Sequence, residues 1–276
     1  SVNTDGAASD GNVALPAVGD STRLGALDVT ADTGTITLNS GTVKATGVTF
    51  GSTVLLTQDT GITTDGADYD ASTATVTSDG SGPWDLSITT TDVADGGDGA
   101  SAGNVRLNDF DNSGGTHVNN VIVDVSDDTP GSLTLSGDIQ LDYDAVNDNE
   151  AGSFALQNAT SIDVQVAQNA GIDTLTSGGQ DAGPVDLGTS NVYSAGGNSL
   201  DIDTSAPTDQ SGGDVQFGLV DDNAGGNSLL QTLTVDSSTG GGTGTAGVTS
   251  LTDEVTTSGT QQYSGTVETA DGITLS

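Results

Sequence analysis

Oxygen-bearing side chains at short intervals are the residues of this chain whose types and spacing suit chemistry, and the chemistry they suit is calcium binding. Asp109-Phe-Asp111-Asn112-Ser113-Gly114 sets oxygen ligands at alternate positions ahead of a glycine, as the opening of an EF-hand loop does. The twelfth position is Asn120, where a bidentate Glu would close the loop, so the segment departs from a true EF-hand. Asp142, Asp144, Asn147, Asp148 and Glu150 form a denser cluster. Asp95-Gly-Gly-Asp98-Gly has the look of a calcium-binding nonapeptide, but it occurs once, and that motif works by repetition. Asp124/Asp127/Asp128 and Asp221/Asp222/Asn223 are further groupings. Ca²⁺ needs roughly six to eight oxygens from a loop able to fold round it. The metal candidates are therefore Asp109, Asp111, Asn112, Asp142, Asp144, Asn147, Asp148 and Glu150, with Ca²⁺ the expected ion. Each of these segments also reads as a solvated turn.

Acid–base chemistry has little to draw on. The basic inventory is Arg23, Lys44, Arg106 and His117. Asp109, Asp111 and His117 make the carboxylate–imidazole grouping, and any Ser/His/Asp triad would have to use His117. Glycoside hydrolysis needs two carboxylates across a cleft, and an anionic surface repels acidic polysaccharide. A polysaccharide-active enzyme is thus the remote alternative, and no catalytic residue is expected. No glycine-rich loop leads into Lys-Ser or Lys-Thr, so phosphate cradling has no motif. Asn158-Ala-Thr160 is a glycosylation sequon with nothing beside it to strengthen the reading.

The elements that must hold these side chains are strands. Short alternating runs dominate: Thr35-Ile36-Thr-Leu38, Asp85-Leu86-Ser-Ile88-Thr, Val121-Ile-Val123-Asp-Val125, Ile162-Asp-Val164-Gln-Val166, Leu200-Asp-Ile202 and Leu233-Thr-Val235. Period-two alternation marks strands with one buried face. Gly, Asp, Asn, Ser and Thr fill the intervals, the composition of turns. Of the acidic residues only Glu150, Glu254 and Glu268 are Glu. Asp is a turn former and a poor helix former, so the expected place of the charge is on turns flanking strands.

Composition narrows the class. There are 276 residues with three Lys plus Arg, one His, no Cys and no Met; aromatics are 3% and apolar residues 32%. A core made from this supply has to be thin and built from Val, Leu, Ile and Ala. The formal charge of −36 repels nucleic acid and anionic membrane and attracts divalent cations. The same charge fits adaptation to molar salt, an alternative left open. Without Cys there is no disulfide framework or thiolate metal site, and no apolar run approaches a membrane span.

Two architectures use many short strands: a parallel β-solenoid and a string of antiparallel, Ig-like β-sandwiches. Small aliphatic core residues suit stacked ladders, Trp84 is the single Trp, whereas sandwich domains commonly bury a large aromatic apiece, and Gly and Asn at strand ends suit sharp corners. At roughly 20–25 residues per coil the solenoid would have on the order of a dozen coils and a length of roughly 60 Å. The chain also resembles itself. Leu27-Asp-Val-Thr-Ala-Asp-Thr-Gly34 matches Leu233-Thr-Val-Asp-Ser-Ser-Thr-Gly240, Phe50-Gly-Ser-Thr-Val54 matches Tyr263-Ser-Gly-Thr-Val267, and Thr57-Gln-Asp-Thr-Gly-Ile62-Thr matches Thr269-Ala-Asp-Gly-Ile273-Thr. The order is kept, so a second copy of the opening is expected to start near residue 200.

Thr257-Ser-Gly-Thr-Gln-Gln-Tyr263-Ser-Gly-Thr-Val267, followed by Asp271-Gly-Ile-Thr-Leu275, resembles the repeat of filamentous-haemagglutinin-like giant exoproteins and adhesins. Asp5-Gly-Ala-Ala-Ser-Asp-Gly-Asn-Val13 and Ser211-Gly-Gly-Asp-Val-Gln-Phe217 resemble its other recurrent pieces. The likeness covers both ends, about half the chain; residues 90–180 match in style alone. It implies a right-handed parallel β-helix, export across an outer membrane and a part in adhesion, matrix or surface fibres, with no catalytic residues.

The expectation is an all-β chain whose residues 1–276 form a single continuous right-handed β-solenoid segment cut from a longer repetitive polypeptide. Its expected role is a structural module of an extracellular or cell-surface fibre, filament or giant adhesin. Its expected partners are copies of itself, head to tail through the solenoid ends. The alternative is a calcium-dependent adhesive array of β-sandwich domains.

Overall fold

The computed structural model describes residues 2–3, 11–92, 101–111, 118–141, 152–158, 160–174, 181–222 and 227–276. Among them there is no helix, and the named strands pair in parallel throughout. The chain winds over three faces in fixed rotation. One turn, for example, runs Leu27–Thr30, Thr35–Leu38, Thr42–Lys44, and the next runs Val48–Phe50, Thr53–Leu56, Thr60–Thr63. The first and third faces are nine-stranded sheets; the second is a four-stranded and a five-stranded sheet, joined through single-residue bridges from Phe110 to Val76 and to Ile139. The β-solenoid expectation holds, and the antiparallel sandwich array is not the architecture.

Alternation puts every second side chain inside, where it meets the same position of the neighbouring coil. On the first face Leu27, Val48, Tyr69, Val105, Leu133, Val164, Val192, Val220, Val255 and Leu275 pair in register from coil to coil. On the second face Val13, Ile36, Val54, Val76, Phe110, Ile139, Ile172, Ile202, Val235 and Tyr263 do the same. Like residues stacked in parallel leave few gaps, which lets a core with few aromatics pack. Phe50 and Tyr69 meet edge to face with ring centroids 6.1 Å apart, a favoured aromatic geometry.

The stack is shorter than a period of 20–25 residues implies. Nine steps separate the ten residues of each ladder, about 4.8 Å apiece or roughly 43 Å in all. The spacing between ladder partners runs from 18 residues, Ile36 to Val54, to 36 residues, Tyr69 to Val105. The extra residues lie in loops at the corners, which lengthen a coil without raising the stack.

Corner chemistry explains the bias toward Asp and Asn. A coil's strand-start N–H often has no strand carbonyl opposite it, and a side-chain oxygen from the coil before accepts it instead. Asn12 takes the N–H of Thr35 at 3.0 Å, Asp68 that of Asn104 at 2.8 Å, Asn104 that of Ser132 at 3.0 Å, and Asp214 that of Val248 at 2.8 Å. Asp85, Asn169, Asp181 and Asp209 cap Asn120, Ser199, Ser211 and Thr243 in the same way. Asp and Asn have the short reach this needs; a buried N–H left without a partner is costly.

A second device closes the long loops. The buried hydroxyls of Thr90, Thr174 and Thr204 each donate to a glycine carbonyl across the loop, Gly103, Gly183 and Gly213, at 2.7 Å. Ser237 does the same to Gly247 at 3.1 Å. The glycines stack too. A Cβ on Gly213 would lie 2.0 Å from the Gly183 carbonyl oxygen, and one on Gly247 would lie 2.1 Å from that of Gly213.

One expectation needs correction. Charge is not confined to turns: Asp28, Asp70, Asp85, Asp124, Asp163, Asp173, Asp186, Asp201, Asp203 and Asp236 lie within strands. Outward strand positions of a solenoid face water, so they tolerate Asp as well as a turn does. The self-similar segments also occupy different faces: Leu27 is on the first and Leu233 on the second. The pairing of Val29 with Phe50 and of Val235 with Tyr263 is nonetheless the same, so the similarity preserves a stacking relation, not a phase.

Candidate functional site: an aspartate groove on the second face

The outward side of the second face is where acidic residues gather. Gln140, Asp173, Asp203 and Asp236 follow one another in register, one per coil, at about 4.8 Å spacing. They face out because the residues before them, Ile139, Ile172, Ile202 and Val235, are fully buried. Two places earlier the column reads Gly171, Asp201, Thr234. Gly171 contributes no side chain, and a Cβ there would come within 3.2 Å of Asp138 Oδ1. The gap makes an open groove of about 470 Å³ lined by Asp138, Gln140, Asn169, Asp173, Asp201 and Asp203. It runs into a smaller hollow of about 230 Å³, where Thr75, Asp109 and Asp111 join Asp138 and Gln140.

Electrostatics in the groove are one-sided. Burial pushes the Asp201 carboxyl up from its ordinary value, and the charges of Asp203, Asp138 and Asp236 push it further the same way. Ion pairs among the described residues include Arg23 with Asp65, and Arg106 with Asp68 at 2.9 Å and Asp70 at 3.4 Å, on earlier coils. Asp70 shows the contrast. Burial raises it, but hydrogen bonds from Ser72 and the Arg106 guanidinium outweigh burial and hold it below its ordinary value.

Of the calcium candidates, Asp109 and Asp111 flank the inward Phe110 and line the hollow. Asp109 Oδ1 accepts the N–H of Asp138 at 3.1 Å, and the Asn108 amide reaches Oδ2 at 3.2 Å. Phe110 is part of the second face, while Asn120 stands in the strand Val118–Asp124 of the third face with its amide on Asp85. The described ends of the segment therefore stand on two faces, and residues 112–117 between them lie outside the described residues. Asn112, Asp142, Asp144, Asn147, Asp148 and Glu150 lie outside the described residues, as do Asp95, Asp98 and His117. Among the described residues no three of His, Cys, Asp or Glu are grouped to hold a metal ion. Asp124 accepts from Ser126, and Asp127 caps the N–H of Asp92 at 2.9 Å, so these two serve corners.

The chain also holds a G-x-S-x-G string at residues 99–103. In hydrolases that string makes a strand-to-helix elbow. Here Ser101 is exposed and bridges Thr129 in parallel pairing, with no helix to follow.

Sequence reasoning missed the groove residues Asp138, Asp173, Asp201, Asp203 and Asp236. A signal for three of them exists. Ile172-Asp173-Thr174, Ile202-Asp203-Thr204 and Val235-Asp236-Ser237 repeat one pattern of core residue, outward acid and clamping hydroxyl. Each is followed by its partner glycine, Gly183, Gly213 or Gly247. Chemically the groove offers carboxylate and amide oxygens and no imidazole or thiol among its described residues; it can gather cations and bind hydroxyls. Compared with family models, curated proteins and solved structures, the chain matches none.

Proposed function

We propose that this chain is a structural module of an extracellular fibre, surface filament or giant adhesin, and that it carries out no catalysis. The observation that carries the reading is the pair of ten-residue ladders, from Leu27 to Leu275 on the first face and from Val13 to Tyr263 on the second. Inward side chains are spent on the neighbouring coil, and a solenoid of this kind gains its stability from neighbour contacts along one axis. That design gives stiffness and length. The outward acids keep the rod soluble and surround it with cations; Ca²⁺ gathers along the groove of Asp138, Asp173, Asp201 and Asp203 as a counter-ion. No helix among the described residues is long and apolar enough to cross a membrane.

The test is small-angle scattering and electron microscopy of the purified chain, with Ca²⁺ and then with chelator. A thin rod of constant cross-section under both conditions is expected. A compact particle that changes shape with chelator, or turnover of any member of a polysaccharide panel that His117→Ala abolishes, would overturn the reading.

A further inference from the structure

The third face has a bulge where the strand Trp84–Thr89 meets Val118–Asp124. Trp84 faces Val118 and Leu86 faces Val121, so Asp85 alone stands opposite both Asn119 and Asn120. A bulge of this kind re-aims a side chain, and Asn119 is 4% exposed. The Asp85 carboxylate fixes the direction of its amide. A carboxylate accepts and does not donate, so Asn119 gives it Nδ2, at 3.2 Å, beside the N–H and Nδ2 of Asn120 at 3.1 and 2.9 Å. The Asn119 Oδ1 is left buried without a hydrogen-bond partner, whereas the Asn120 Oδ1 takes the Ser153 hydroxyl at 2.6 Å. A buried acceptor of that sort calls for an ion or a water. Two backbone oxygens converge beside it: a Cβ on Gly152 would lie 1.9 Å from the Leu141 carbonyl oxygen and 2.8 Å from that of Asn119. Further along the stack the glycines meet one another instead, Gly213 against Gly183 and Gly247 against Gly213. The clamp position differs too. Ile139 and Gln140 pair with Ile172 and Asp173, so Leu141 holds the place that Thr174 takes in the next coil, and Leu has no hydroxyl to donate.

We propose that a calcium ion binds at this bulge, held by Asn119 Oδ1 and by the carbonyl oxygens of Asn119 and Leu141, with the Asp85 carboxylate supplying charge and water completing the shell. Amide, carbonyl and carboxylate oxygens are the ligands this ion takes. Asp59, one coil before Asp85 in register, accepts the Asp85 N–H at 3.0 Å and brings a second negative charge. The site is made chiefly of neutral oxygens, so a search for grouped acids passes over it. The ion ties the coil of Leu141 to that of Asn119, in the one clamp row where Leu stands in place of a hydroxyl. It is separate from the groove of Asp138 and Asp201, which lies on the second face and gathers counter-ions. With so few formal charges the expected dissociation constant is about 10⁻⁴–10⁻³ M, the range of extracellular calcium modules.

Trp84 makes the site readable. The single Trp of the chain directly precedes Asp85 and faces Val118, so terbium bound at the bulge is expected to emit when Trp is excited, and calcium to remove that emission by displacement. Calcium is also expected to raise the melting temperature of the whole chain. Asp85→Asn keeps an acceptor for the three donors and removes the charge; Asn119→Leu fills a similar volume without an oxygen. Circular dichroism checks that each variant is folded. Each is expected to bind terbium and calcium about tenfold more weakly or worse and to lose most of the calcium effect on melting. Asp201→Asn, in the groove, is expected to leave the Trp-sensitised signal unchanged. A wild type with no such signal at millimolar terbium overturns the proposal, as does a signal that neither variant weakens. A melting curve indifferent to calcium overturns it as well, and would mean that a water satisfies Asn119. The rod shape in scattering reports separately on the structural-module reading.

Discussion

Thr204 and Gly213 hold each other across a loop: the Gly213 N–H donates to the Thr204 carbonyl at 2.8 Å, and the Thr204 hydroxyl donates back to the Gly213 carbonyl at 2.7 Å. Thr204 and its neighbour in the stack, Thr174, are fully buried. The clamp fastens the base of the loop at residues 205–212 to the corner and leaves the coil below and above in register. Loops fastened this way vary in length without disturbing the core.

Replacing Thr204 by Val keeps the shape and removes the donor. The Gly213 carbonyl then loses its side-chain partner inside the corner, at a cost of about 1–2 kcal/mol. Thermal melting should fall accordingly, while Thr204→Ser stays near wild type. Hydrogen exchange should report faster opening at Ala206 and Asp209, whose amides bond to Ser238 and Gly241 of the next loop. An unchanged melting curve for Thr204→Val would show that the clamp is ornamental.

Glycine at the clamp answers to a different constraint. A methyl at Gly213 would sit 2.0 Å from the Gly183 carbonyl oxygen, whereas one at Gly196 has nothing within 4 Å. Gly213→Ala is therefore expected to cost at least about 2 kcal/mol and Gly196→Ala to stay within about 0.5 kcal/mol of wild type. Denaturant unfolding of the two variants measures the difference. Equal stability would mean that the stacked glycines move apart freely.

Asp201 makes stability depend on pH in an uncommon direction. Its carboxyl is raised in the folded state by burial and then by Asp203, Asp138 and Asp236. A raised folded value means that the stabilisation is complete below the ordinary carboxylate range and is lost as pH rises through that folded value. Asp201→Asn should consequently stabilise the protein at neutral pH, by a few tenths to about 1 kcal/mol as like-charge cross-strand pairs go, and make no gain in acid. Asp70, held low by Ser72 and Arg106 against burial, has the opposite sign: its contribution is present above the ordinary value and disappears as pH falls through the depressed one. Melting of Asp201→Asn at neutral and acid pH, in low and high salt, checks this; a gain that survives about 1 M salt, where the Debye length is near 3 Å, would point to packing instead of charge.

The solenoid was legible because its rule is local. Alternation in runs such as Leu133-Thr-Leu135 states which side chain is buried, and stacking only repeats that statement coil after coil. What was not legible is which residue lies over which. Tyr69 pairs with Val105 across 36 residues and Val255 with Leu275 across 20, since corner loops absorb any length. The groove depends on that alignment: Asp138, Asp173 and Asp203 are far apart in sequence and adjacent only once the register is known. The tripeptide pattern of Asp173, Asp203 and Asp236 was present, but it repeats within a low-complexity background where Leu27-Asp-Val and Leu233-Thr-Val look equally alike. Asp109 and Asp111 were picked out for a loop motif and line the hollow for another reason, their outward alternation about Phe110.

Phe110 is the thinnest point of the second face, and a variant there tests whether the rod is one cooperative unit. Its whole contribution to that face is a bridge to Val76 below and Ile139 above, between a four-stranded and a five-stranded sheet. The side chain is 1% exposed, so it fills by volume a rung that has almost no strand. Phe110→Ala removes that volume at about 3–5 kcal/mol. In a compact domain such a loss lowers a single transition. A solenoid is close to one-dimensional, each coil being held by its neighbours, so a loss confined to one rung weakens the coupling between the coils below and above it. Scanning calorimetry should then resolve two transitions where the wild type shows one, and amides on both sides of the rung, such as those of Asp111 and Gln140, should exchange well before those of the stacked strands around Ile202. A single sharp transition, merely shifted down, would show instead that the first and third faces alone carry the coupling past the gap.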